Sequence, residues 1–146
     1  MAARKPFRPF ATIAALVIVA AYYLVTGQIP GNQNDPAPNP VSQAHLNRQS
    51  DVLVELEGTV TRILPDDNEG SRHQKFIVAM ADKHTILVSH NIDLAPRITD
   101  IAVGQPIKVK GEYEYNNRGG VVHWTHHDPA GQHPGGWIEY GGKRYQ

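Results

Sequence analysis

Mostly β, with strands running antiparallel, is the fold class that this sequence predicts for residues 51–146, and three observations predict it. Residues 52–64 alternate apolar and polar side chains over an unusually long stretch. Residues 107–115 repeat the alternation more cleanly. Between and around them, Gly, Pro, Asn and Asp cluster at intervals that suit tight turns.

Taken in order, the chain opens with a membrane segment at residues 1–26. Phe10 to Thr26 carries no charge, and its length is at the lower end of what spans a hydrocarbon core. Arg4, Lys5 and Arg8 precede it, and no basic residue follows until Arg48. That bias keeps the N-terminus in the cytoplasm and exports the rest. A cleavable signal peptide has the same charge order, with Val25-Thr26-Gly27 as its candidate site. The bulky exit through Tyr22, Tyr23 and Leu24 favours a retained anchor. The expectation is a single-pass protein of a bacterial inner membrane, its C-terminal domain in the periplasm. Residues 27–50 hold Pro30, Pro36, Pro38 and Pro40 among Gly, Asn and Gln, and read as an extended linker.

The first strand, Val52 to Leu64, sets Val52, Val54, Leu56 and Val60 against Glu55, Glu57, Thr59 and Thr61, with Gly58 at an expected bulge or coil. After a polar turn at 65–70 come two short strands, His73–Met80 and His84–His90, joined near Asp82-Lys83. A two-residue turn puts His73 and His90 on one face, and a three-residue turn puts them on opposite faces. Residues 91–104 form an irregular connection. Ile107, Val109, Gly111, Tyr113 and Tyr115 then alternate with Lys108, Lys110, Glu112 and Glu114, one face buried and one solvated. Asn116 to Gly120 turns into a fifth strand, Val121–His127, and Trp137–Tyr140 with Lys143–Tyr145 make a last hairpin. Five strands in this order, the first one coiled, predict a small antiparallel OB-like barrel over 51–146, a pattern that a five-stranded SH3-like barrel or small sandwich also gives. Val54, Leu56, Phe76, Val109 and Trp124 are its expected core.

Charge and composition narrow the function. The net charge is zero, but three basic residues lie in the apolar N-terminal segment, leaving 11 basic against 14 acidic side chains beyond it. Such a balance lacks the basic field of non-specific nucleic-acid binders. The absence of cysteine excludes disulfides, thiolate nucleophiles and zinc–thiolate sites.

Candidate chemistry concentrates near the C-terminus, in His123-Trp124-Thr125-His126-His127-Asp128-Pro129 and Gly131-Gln132-His133-Pro134. Imidazole and carboxylate suit a divalent transition metal, and histidine also serves as general acid or base. His123 and His127 on one extended strand lie roughly 13 Å apart, too far to share an ion. A bend at Asp128-Pro129 brings His126, Asp128 and His133 forward as metal candidates. Ligand-binding candidates are Arg72, His73, His90, His123, Trp124 and His127. Arg72 and Arg97 with the nearby histidines form a candidate anion pocket. Asp66, Asp67 and Glu69 offer oxygen ligands to a calcium-like ion, although a solvated turn is the commoner meaning.

Three stretches, Gly58 to Asp67, Ser71 to Phe76 and His90 to Arg97, together with His123 to Ile138, resemble a family of short bacterial membrane-anchored proteins known only as a domain of unknown function. The resemblance implies one domain over about residues 52–146 and carries no activity. Two functions therefore stand. The first is a membrane-anchored binding module for a phosphate-rich or saccharide ligand or a protein partner. The second is a phosphodiester hydrolase using the His/Asp cluster, an analogy of fold alone.

Overall fold

The computed structural model describes Ala21 and residues 39–146. The expected membrane segment therefore lies outside the described residues, apart from Ala21. Among the described residues, no helix is long and apolar enough to cross a membrane.

Helix α1, Pro40–Leu46, corrects the expectation of an extended linker up to residue 50. Asn39 caps it, its side-chain oxygen accepting the Ser42 N–H at 2.9 Å, and Pro40 supplies a preset φ at the first helical position. Val41 and Ala44 are buried in the same core as the strands, and full burial of the valine is worth about 1.5–3 kcal/mol. Ser42 and Asn39 also hydrogen-bond Asp82 in the β2–β3 turn. The compact unit thus includes the helix and, among the described residues, runs from Asn39 to Gln146.

Seven strands follow: β1 Val52–Ile63, β2 His73–Ala79, β3 Thr85–Asn91, β4 Pro106–Glu114, β5 Val121–His123, β6 Trp137–Tyr140 and β7 Lys143–Tyr145. β1 is long enough to pair with β4 through its first half and with β2 through its second. The register slips between Val60 and Arg62, so the irregularity falls there and not at Gly58. The order β1-β2-β3-β5-β4, closed by β1–β4, makes a five-stranded barrel. One seam departs from the antiparallel expectation: β3 and β5 run parallel. An odd number of strands in a closed ring cannot alternate direction at every seam, so at least one must be parallel. The β6–β7 hairpin extends the sheet from the free edge of β4.

Val54, Leu56, Phe76 and Val109 are buried as expected, around Tyr113 and Val122. Trp124 is not among them and is only half-buried. β5 ends at His123 instead of His127, because Trp124 adopts a left-handed backbone with φ 51° and throws the chain off the strand. The β2–β3 turn contains three residues, Ala81, Asp82 and Lys83, since Met80 donates its N–H to the His84 carbonyl and Lys83 (φ 68°) reverses the chain. His90 therefore pairs with Gln74 and faces the core, and His73 faces the other way.

Candidate functional site

The outward face of β4 carries Lys108, Lys110, Glu112 and Glu114, as alternation requires. β5 lies beside its second half, with His123 directly opposite Glu112. Gly111 permits this approach, because a Cβ there would sit 2.2 Å from the His123 carbonyl oxygen.

After Trp124, residues 125–136 fold back over this face. Asp128 organises the loop. Its buried carboxylate accepts backbone N–H groups from Ala130, Gln132 and His133 at 3.0, 2.7 and 2.8 Å, and these bonds hold it below the usual carboxylate range. Gly136 closes the loop, donating to the His126 carbonyl at 2.9 Å. It packs where a Cβ would meet the Trp124 and Lys110 carbonyls at 2.1 and 2.4 Å.

The loop delivers His133 onto Glu112. Its Nε2–H donates to Glu112 Oε2 at 2.7 Å, its Nδ1–H donates to the Pro134 carbonyl at 2.8 Å, and its ring stacks on Trp124. Both partners are acceptors, so the arrangement favours the doubly protonated ring. The Glu112 hydrogen bond, foremost, raises its pKa.

Glu112 thus divides its oxygens. Oε2 is held by His133, and Oε1 faces His123 Nε2 at 3.6 Å. Glu114 Oε1 lies 3.8 Å from the same nitrogen. His123 Nε2 is buried and has no hydrogen-bond partner among the described residues. One imidazole nitrogen and two carboxylate oxygens, all within 4.8 Å of one another, therefore converge on one point.

The other candidates fall elsewhere. His126, Asp128 and His133 do not converge on an ion: Asp128 spends its oxygens on the loop backbone, and His126 is buried with Nδ1 donating to the His127 carbonyl at 2.8 Å. His127 is exposed. His90 is fully buried, Nε2–H donating to the Pro96 carbonyl at 3.1 Å and Nδ1 accepting from the Thr125 hydroxyl at 2.8 Å. Burial, foremost, lowers its pKa, so it is a neutral core strut. His73 bonds its own loop, at the Ser71 carbonyl. Arg72 pairs with Asp93 and Arg97 with Asp66, so each arginine of the expected anion pocket already faces a carboxylate. Asp66 is taken by Arg97, and Asp67 by Lys75 and the Glu69 N–H, which leaves a cross-linked turn in place of a calcium loop.

A concavity of about 800 Å³ lies away from this cluster, over Gly58, Met80, Ile107 and Tyr140. Its size suits a small ligand. Among its lining charges, Lys108 pairs with Glu57 and Arg144 with Glu139.

Glu112 and Glu114 were not singled out as site residues in the sequence. The available signal was two acids spaced by two on a strand, which must share a face. Their opposition to His123 depends on the β4–β5 register.

No curated protein matches the chain. The sequence of residues 22–146 matches the family described as protein of unknown function DUF3465, and the chain belongs to that family.

Proposed function

We propose that this DUF3465 protein is a membrane-anchored, extracytoplasmic binding module that captures a cationic ligand on the β4–β5 face of an OB-like barrel. The anchor and export rest on the uncharged run from Phe10 to Thr26 behind three basic residues. The OB-like reading is supported by the strand order β1-β2-β3-β5-β4 with closure between β1 and β4.

One observation carries the ligand class. Asp66, Asp67, Asp93, Glu57 and Glu139 each meet a lysine or arginine, whereas Glu112 and Glu114 meet only histidine rings. These two carboxylates share one strand face and meet no lysine or arginine ion pair among the described residues, and Glu112 keeps one oxygen clear of His133, which favours a mobile cation.

The test is a thermal-unfolding panel on the purified full chain with calcium, zinc, manganese and spermidine. At least one cation raises the midpoint of the parent, and the shift disappears in Glu112→Gln/Glu114→Gln. A panel in which no cation shifts the parent refutes the reading. A reporter fused after Gln146, active only on the exported side, tests the orientation.

A further inference from the structure

The geometry points to a divalent transition-metal site whose ligands are His123 Nε2, Glu112 Oε1 and Glu114 Oε1, with His133 as the residue that positions Glu112. This rests on the cation-binding reading and names the cation.

The first argument is the state of His123 Nε2. A buried polar atom without a partner costs roughly 1–3 kcal/mol, and such atoms in native folds call for a specific reason. Here the nitrogen has no hydrogen-bond partner among the described residues, although two carboxylates stand beside it. A proton shared with one carboxylate would draw that pair to about 2.7–2.9 Å. The separations are instead 3.6 and 3.8 Å. Ligand atoms bonded to one zinc-sized ion at about 2.0–2.2 Å stand roughly 3–3.6 Å from each other. These two separations are near the edge lengths of a coordination polyhedron and too long for direct hydrogen bonds, and all three ligand atoms lie within 4.8 Å of one another.

The second argument is the donor set. Calcium and magnesium take oxygen shells, so a nitrogen at the centre of this group disfavours them. One imidazole with two carboxylates suits zinc, manganese or ferrous iron, and the absence of thiolate removes the softest metals. Three protein ligands leave positions for water or a second ligand.

The third argument is the support behind Glu112. A ligating carboxylate is ordinarily fixed by a further hydrogen bond, and loss of that bond weakens the metal. His133 supplies it to the oxygen that does not face His123. Trp124 lies under the His133 ring, and Asp128 grips the His133 backbone N–H at 2.8 Å. The loop holds one carboxylate rotamer.

The test uses the full chain, stripped of metal, titrated calorimetrically with zinc and separately with manganese. One equivalent binds the parent. His123→Ala and Glu112→Gln each weaken binding by about 100-fold or more. His133→Ala weakens it by about 10–100-fold. His133→Gln, which still offers an N–H to Glu112, recovers most of that loss. Manganese also broadens the His123 ring resonances selectively, which a purely structural role would not produce. Binding by His123→Ala equal to the parent overturns the site, and binding by His133→Ala equal to the parent overturns the positioning role. If calcium or spermidine stabilises the parent through Glu112 and Glu114 while zinc and manganese do not bind, the metal site fails and the cation-binding reading stands. If nothing binds the parent, both fail.

Discussion

His133 lies flat on Trp124, ring centroids 4.1 Å apart and planes 11° from parallel, and from that position donates to Glu112. The stack joins a strained residue to a charged one. Trp124 keeps φ at 51°, a region costly for a side chain of its size, and gains the contact with the imidazolium in return. Trp124→Leu keeps an apolar side chain and the backbone strain but removes the aromatic face. It should destabilise the protein by about 0.5–2 kcal/mol in urea unfolding, and broaden the His133 ring signals as the ring gains freedom. Unchanged stability together with an unchanged His133 environment would show that the stack is incidental.

Asp128 is a loop organiser rather than a metal ligand. Asp128→Asn puts an N–H₂ where one of two accepting oxygens stands, so the Ala130 amide on Oδ1 and the Gln132 and His133 amides on Oδ2 cannot all keep their present bonds. Amide exchange at residues 130–133 should accelerate while that of β2 and β3 stays as in the parent. Exchange rising evenly across the barrel would instead make Asp128 a global stability residue.

His90 sets a pH dependence with a definite sign. Burial keeps its folded pKa below the ordinary histidine value of 6.5, so the unfolded chain binds a proton that the folded chain refuses. Its contribution is therefore full above about pH 6.5 and is lost as the pH falls below that value toward the folded pKa. His45, lowered by burial and by His84, acts in the same direction. His133, raised by Glu112, acts oppositely: its contribution is present below 6.5 and is lost as the pH rises through the folded pKa. The measurement is therefore a difference. Between pH 7.5 and pH 5, the metal-free parent should lose more unfolding free energy than His90→Gln. An equal loss would mean that His90 accepts its proton without leaving the core.

Val109 is fully buried between the partners of β4, opposite Leu56 on one side and Ile138 on the other. Val109→Ala removes two methyl groups and leaves a void, so it should cost about 1–3 kcal/mol in urea unfolding with the slope unchanged. A cost below about 0.5 kcal/mol would show that the barrel interior relaxes into the space.

Asn39→Ala tests whether α1 belongs to the folded unit. It removes the cap on Ser42 and the contact with Asp82, and should cost about 0.5–2 kcal/mol. A fully neutral substitution, with rapid amide exchange throughout residues 40–46, would return the helix to the linker.

By itself, the sequence determined the strands whose apolar residues repeat every second position. β4 and the β6–β7 hairpin are legible because one face must be dry, and alternation states which side chains occupy it. Helix α1 was also written locally, in Asn39-Pro40 as a cap and first residue, but the surrounding prolines obscured that signal. The tertiary structure decided what no local pattern carries. A third residue in the β2–β3 turn put His90 in the core, and the parity of a five-stranded ring made β3 and β5 parallel. A left-handed Trp124 ended β5 four residues before its expected limit. The site follows from these long-range choices. Histidines near one another in the chain were separated by the loop, while Glu112 and Glu114 were brought to His123 by cross-strand register, a relation between residues that alternation along either strand does not specify.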